Sequence, residues 1–277
     1  MRFVKMHGLG NDYVFLVEEY VPDPAALVSK INDSHVGVGG DGLVLVERGT
    51  DADFAMRIFN RDGSEAEMCG NAARCVGKLV YEAGLTTATS LTLQTGGGIR
   101  NVTLHLTGER VNHVSVNMGA PSLLPPCIPS PADDLVVKPL PVMVEGESFE
   151  MICLVLGNPH GVIFVENTDL VDVSRIGPQL ERHPLFPQRI NVEFVQVVDP
   201  THLRMRVWER GSGETRACGT GACAALVAGS MLGRCERRGH VVLPGGTLDI
   251  EWDPITGDVV QSGPAAYVAS GDYLSED

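Results

Sequence analysis

The sequence predicts an α/β protein made of two similar domains. Three observations carry this. Strand-like apolar alternation runs through most of the 277 residues, and two stretches break it with about four turns of helical spacing. Those two stretches open on the same Cys-Gly pair, inside blocks that repeat at a constant offset. The length is comfortable for two domains, and an apolar share of 44% is enough to build a core in each.

The elements follow in order. "FVKMHG" (3–8) and "DYVFLV" (12–17) read as a hairpin around Gly8–Asn11. "DPAALVSKIND" (23–33) is a short helix with Asp23 as N-cap and Pro24 at its first position. "GLVLVE", "DFAMRIFN", "SLTLQT", "NVTLHL" and "HVSVNMG" continue as strands. "APSLLPPCIPSPADD" (120–134), rich in proline, is the expected linker between the halves. Beyond it, "LPVMVEGESFEMICLVLG" gives two strands about a turn at "EGES". "GVIFVE", "INVEFVQVV", "LRMRVWER", "HVVLPG", "TLDIEW" and "DVVQSGPAAYVASGDYL" are strand-like as well. "DVSRIGPQLERH" reads as a helix that Gly177-Pro178 should bend or divide. The two long helices are "CGNAARCVGKLVYEAG" (69–84) and "CGTGACAALVAGSMLG" (218–233), each stopping at a glycine suited to the position after a helix.

At an offset of 149 residues, "MRIFNRDGSEAEMCGNAA" (56–73) lies over "MRVWERGSGETRACGTGA" (205–222) with seven of eighteen positions identical. Each block is a strand, a turn containing Arg, a Glu four residues before Cys, then Cys-Gly and a helix. A lone cysteine before a helix is usually a small buried hydrophobe. The pair, Cys69 and Cys218, favours chemistry. Amides in the first helical turn lack partners and the helix dipole adds positive charge, so a thiol there is expected to gain thiolate character. The same amides suit a carboxylate. One thiolate and one thiol on opposite faces of an α-carbon is what a two-base racemase requires. Cys75, Cys127, Cys153, Cys223 and Cys235 have no counterpart in the repeat and are expected to be structural.

Composition narrows the remaining choices. A formal charge of −14 argues against nucleic acid or an anionic membrane as partner. Seven cysteines, an odd number, do not suggest a disulfide framework, and their spacings match no zinc site. The segment "MRFVKMHGLGNDYVFLV" has no uninterrupted apolar stretch, which predicts an untargeted protein of the cytoplasm. No Lys stands in a Gly-rich phosphate-binding context, so neither pyridoxal phosphate nor a metal is expected.

"EMCGNAARC", "RACGTGACAA" and "GNPHGVIFV" together resemble the diaminopimelate epimerase family, and the likeness spans essentially the whole chain. The paired motifs are shared in outline by proline racemases, so the other positions must discriminate. The resemblance implies Cys69 and Cys218 as the proton-carrying residues, His160 assisting the first and Glu209 the second. It implies that Asn11, Asn60, Asn158, Asn191 and Arg210 hold the distal end of the substrate, where Arg grips a carboxylate and Asn offers both donor and acceptor. The amides of Gly70-Asn71 and Gly219-Thr220 would cradle the proximal carboxylate. Ala72 and Gly42 depart from the commoner family residues, and Gly42 stands where some members carry a substrate-facing Gln. The implied fold is two pseudo-symmetric domains, each a curved β-structure wrapped around a central helix: 1–119 with 264–277, and 120–263. The implied activity interconverts LL- and meso-diaminopimelate without cofactor, in lysine and peptidoglycan precursor synthesis, by a homodimer with a small-molecule substrate.

Overall fold

The structure, a computed structural model, describes residues 1–124 and 137–274. Residues 125–134 of the expected linker, Cys127 among them, lie outside the described residues. The chain divides into two compact units, Met1–Asn117 with Ser262–Asp277, and Met118–Gln261. It is a mixed α/β fold, rich in strands, with four α-helices among the described residues.

In the first unit, β1 (Arg2–Gly8) and β2 (Asn11–Val17) form the expected antiparallel hairpin. Helix α1 (Pro24–Ile31) starts on Asp23, whose side chain accepts from the Ala26 amide. It leads into β3 (Gly42–Arg48), which runs parallel to β2 as a helical crossover demands. β4 (Phe54–Asn60) returns antiparallel, and a short β5 (Glu65–Ala66) folds back on it. Helix α2 (Gly70–Glu82) follows, then β6 (Ser90–Thr95), parallel to β4, and the meander β7 (Gly98–Thr107) and β8 (Arg110–Asn117). Helix α2 packs on β1, β4, β7 and β8, with Ala72, Ala73, Cys75, Val76 and Val80 fully buried.

The second unit repeats this order after β9 (Ser122–Leu123) and β10 (Leu140–Val144). β11 (Glu147–Leu156) and β12 (Asn158–Phe164) form the hairpin, α3 (Val173–Glu181) crosses over, and β13 (Asn191–Asp199) runs parallel to β12. β14 (His202–Glu209) returns, β15 (Gly213–Thr215) folds back, and α4 (Gly219–Met231) follows. β16 (Arg238–Leu243) lies parallel to β14, paired with β17 (Gly246–Trp252) and followed by β18 (Val259–Gly263). The chain then returns to the first unit, where β19 (Ala266–Asp272) pairs antiparallel with β1. Helix α4 is buried from Gly219 through Gly229, and its run of small residues lets strands approach it from several sides.

The repeat is now visible in topology as well as in eighteen residues. Two of the seven identities prove to be one ion pair made twice. Arg57 donates to Glu65 at 2.8 and 2.9 Å, and Arg206 donates to Glu214 at 2.8 Å, each tying a strand to its short return strand. The helix N-caps Asp23 and Asp172 keep the same offset. Gly84 and Gly233 follow the long helices with φ of 74° and 65°, as their C-terminal signals predict.

Two local expectations change. Helix α3 is one element, Val173–Glu181, with Pro178 inside it, so Gly177-Pro178 does not divide it into two. Packing holds it together: a Cβ at Gly177 would meet the Trp208 ring at 2.6 Å, and Trp208 Nε1 donates to Glu181 at 2.8 Å. The turns before each Cys-Gly also contain the short strands β5 and β15, whose two or three residues carry no readable period.

Candidate functional site

Each unit gathers candidate site residues around the start of its long helix. In the first, Cys69 is the N-cap of α2, with extended backbone at φ −143°. The first helical bond runs from the Ala73 amide to the Cys69 carbonyl, so the amides of Gly70, Asn71 and Ala72 precede the ladder. Cys69 Sγ lies 3.4 Å from the Tyr13 hydroxyl and points its thiol at Asn11 Oδ1, 3.7 Å away. Asn71 Nδ2 donates to the same Asn11 oxygen at 3.0 Å, and Asn11 Nδ2 donates to Asp41 at 2.8 Å. Behind them Arg74, fully buried, donates to Asn71 Oδ1 at 2.7 Å. Burial holds the Asp41 carboxyl above the usual carboxylate range. Cys69, Asn11 and Asn71 are thus assembled by direct bonds. Asn60 stands at the end of β4, donating to Ser64 at 3.0 Å, opposite Gly42 in the β3–β4 register.

Gly42 has a physical account. A Cβ there would lie 2.5 Å from the Phe59 carbonyl oxygen and 3.0 Å from the Tyr13 ring. No longer side chain fits without moving the strand. The space beside it belongs to Tyr13, a residue whose place against Cys69 the sequence did not disclose.

In the second unit, Cys218 is the N-cap of α4 and is 4% exposed. Its sulfur accepts from the Gly221 amide at 3.4 Å and lies 3.5 Å from the Thr220 hydroxyl. Glu209, at the end of β14, is hydrogen-bonded to the Cys218 thiol and receives a short hydrogen bond from Thr215. His160 is fully buried, with Nδ1 2.7 Å from Glu193 Oε1 and Nε2 2.6 Å from Asn158 Oδ1. Glu193, fully buried on β13, is a second residue that sequence reasoning passed over as strand core.

The electrostatics of this half differ from expectation. Burial pushes the Cys218 thiol well above its ordinary value, and the carboxylates of Glu209 and Glu193 push it further. The Thr220 and Gly221 hydrogen bonds act the other way but do not prevail. Cys218 is therefore held as a thiol, a proton donor, and its predicted thiolate character is not found in the resting protein. Burial likewise raises the Glu209 carboxyl. Cys75, buried, and Cys235, half-buried, are ordinary thiols, pushed up to about 12 and about 11 by desolvation.

The residues expected to hold the distal end of the substrate divide. Asn158 touches His160 directly. Asn191 is 2% exposed, donates to the Pro159 carbonyl at 2.8 Å and accepts from the Arg210 amide at 2.9 Å. Its amide is used on the protein, and it positions the turn that carries Arg210. The Arg210 side chain is exposed, with one bond to the Gln188 carbonyl at 3.2 Å. Glu181, buried on α3, accepts from the Gly211 amide at 3.0 Å and braces the same turn.

The sequence matches the family model described as diaminopimelate epimerase over residues 3–124 and 152–268. The chain belongs to the diaminopimelate epimerase family. It is 50% identical over 274 residues to the diaminopimelate epimerase of Acetivibrio thermocellus, covering 98% of each chain. It is 49% identical over 276 residues to that of Moorella thermoacetica, covering 99% of each. Among solved structures, a probable proline racemase from Agrobacterium radiobacter superposes with a TM-score of 0.73 at 15% identity, over 100% of this chain and 93% of that one. A hydroxyproline epimerase from Agrobacterium vitis gives 0.72 at 15% identity, over 98% and 91%. At that identity the likeness speaks to fold, and the fold is the one the epimerase family resemblance implied. The chain is an isomerase by family. No helix among the described residues is long and apolar enough to cross a membrane.

The missed residues of this epimerase share a cause. Tyr13 and Glu193 lie inside strands, at alternating positions that read as core, and only the parallel pairings β2–β3 and β12–β13 bring them to the helix starts. The hairpin register offers the one usable signal. Asn11 and Asn158 both open the second hairpin strand, so Tyr13 and His160, each two residues on, are counterparts in the repeat.

Proposed function

We propose that this chain interconverts LL- and meso-diaminopimelate by two-base proton exchange, using Cys69 and Cys218 and no cofactor. The observation that carries the proposal is a thiol at the N-cap of the long helix in both units, each beside a different polar partner set. One thiolate takes the α-proton, and the developing negative charge is stabilised through the substrate carboxylate by first-turn amides. The other thiol delivers its proton to the opposite face, so one S–H bond forms as another breaks. Cys218, held as a thiol beside Glu209, suits the donor role in the resting enzyme. To serve as base it must first pass its proton to Glu209, whose raised affinity for a proton makes it a fitting acceptor.

Substrate choice rests on the distal set. Arg210, exposed on a turn braced by Asn191 and Glu181, is the cation we assign to the distal carboxylate, with Asn11, Asn60, Asn158 and Asn191 as the family-matched companions. The likeness to the named relatives also supports a role in lysine and peptidoglycan precursor synthesis, a homodimeric state and a cytoplasmic location. The purified protein is expected to epimerise diaminopimelate with no added cofactor, before and after treatment with EDTA or hydroxylamine. Arg210→Ala should lower kcat/KM for diaminopimelate by about 2–5 kcal/mol, at least ~30-fold. Its turnover of a one-centre amino acid such as proline should not fall in parallel. An unchanged activity ratio between the two substrates would remove Arg210 from the distal role, and an inactive parent protein would refute the function itself.

A further inference from the structure

Glu193 is a buried carboxylate that the proposed chemistry does not use. It is the third residue of β13, fully buried, with Oε1 2.7 Å from His160 Nδ1. Its other oxygen, Oε2, is buried with no hydrogen-bond partner. The same carboxylate stands over the first turn of α4, because a Cβ at Gly221 would lie 2.6 Å from Oε1 and 3.2 Å from Cys218 Sγ. A glycine is kept there to make room for an acid. The titratable groups facing His160 are Glu193 from β13 and Glu209 from β14, with Cys218 beyond them on α4.

The repeat shows that the fold does not require an acid at this position. Val162 pairs with Glu193 in the parallel β12–β13 register, just as Phe15 pairs with Val44 in β2–β3. Val44 is therefore the counterpart of Glu193, and it is fully buried in the first unit's core. Valine satisfies the strand in one unit, while the other spends a half-satisfied carboxylate in the same place. Such a group is usually retained for what it does to a neighbour.

We propose that Glu193 is a positioning residue of this epimerase: it accepts the Nδ1 proton of His160, fixes the orientation of the ring, and so directs Nε2, beside Asn158, toward the proton-transfer side. This rests on the two-thiol reading of the function and deepens it. The logic is that of a carboxylate orienting a catalytic imidazole and stabilising its charged form. Glu193 touches no substrate in this account and acts through His160.

The test uses the full-length protein and two readouts. Glu193→Gln keeps the shape and an acceptor oxygen but removes the charge. Its kcat should fall at least ~10-fold with KM within about threefold of the parent, the pattern of an interaction made in the transition state. In histidine-labelled 15N spectra, with His160→Gln used to assign the signal, the parent's His160 should carry a proton on Nδ1, and that Nδ1 signal should move in Glu193→Gln because its hydrogen-bond partner has changed. Glu193→Val, matching Val44, should fold with a melting temperature no lower than the parent and show at least the same loss of kcat. A Glu193→Gln protein with parental kcat and an unmoved His160 Nδ1 signal would overturn the proposal. So would a parent protein whose His160 carries its proton on Nε2 alone, a measurement that needs no variant. Loss of epimerase activity in the parent would instead count against the two-thiol reading, and the spectra would still decide the role of Glu193.

Discussion

Replacing Cys69 or Cys218 with alanine is expected to lower epimerisation at least ~10²-fold, because each variant retains only one of two required proton carriers. Both helices should survive the change. Neither thiol holds its helix together from the N-cap: Cys69 makes no side-chain cap bond, and Cys218 accepts a single 3.4 Å bond from the Gly221 amide. Circular dichroism and melting temperature should therefore stay close to the parent while turnover collapses. Each variant keeps one base, so slow α-proton exchange can persist from one isomer, and the isomer should differ between the two variants. Serine is a poorer replacement, since its hydroxyl can still donate. Turnover within tenfold of the parent in both alanine variants would contradict the account, because loss of an essential acid or base costs at least ~10²-fold.

Glu209→Gln is expected to produce the second largest effect, and to move activity and stability in opposite directions. The carboxylate is bonded to the Cys218 thiol and to Thr215, and burial raises its proton affinity. Gln cannot take the Cys218 proton, so the reaction that uses Cys218 as base should slow by ~10²-fold or more. The acid limb of the parent's kcat/KM profile should lie above the ordinary carboxylate value of 4.5 and disappear in the variant. For stability the sign is fixed by the raised value. The group favours the folded state below pH 4.5, the value it has when unfolded, and that contribution is lost as pH rises through the folded value. Above its folded value the parent carries a buried charge that Gln removes, so the variant's melting temperature should gain on the parent's as pH rises from 4 through 7. A variant less stable than the parent at both pH values would show that the carboxylate is structural.

How much of this was legible beforehand depends on the range of the interaction that fixes each feature. The helix starts at Cys69 and Cys218, the cap at Asp23 and the glycines at 84 and 233 are set by neighbours a few residues away, and the sequence displays them. The Arg57–Glu65 and Arg206–Glu214 pairs appeared as identities whose reason, a bridge between a strand and its short return, needed the fold. Tyr13 beside Cys69 and Glu193 beside His160 depend on parallel strands joined through a helix, and local periodicity makes both look like core. The proton affinity of Cys218 was misjudged for the same reason. The helix dipole is local and readable, whereas the carboxylates of Glu193 and Glu209 arrive from β13 and β14 and outweigh it together with burial. Gly177-Pro178 went the other way: a local breaker signal lost to packing against Trp208.

The central claim is that two thiols divide the work, and isotope entry during the first turnovers tests it most directly. The protein is incubated in deuterated water with LL-diaminopimelate, and separately with the meso isomer, and each pool is analysed by mass spectrometry before equilibrium. A two-thiol enzyme keeps the abstracted proton on one sulfur and delivers a solvent-derived deuteron from the other. Product should carry one deuterium at the α-carbon from the first turnover in both directions, while unreacted substrate stays almost unlabelled. Product that retains the original proton, or substrate and product labelled at equal rates, would mean that one group serves both faces, and the account would be wrong.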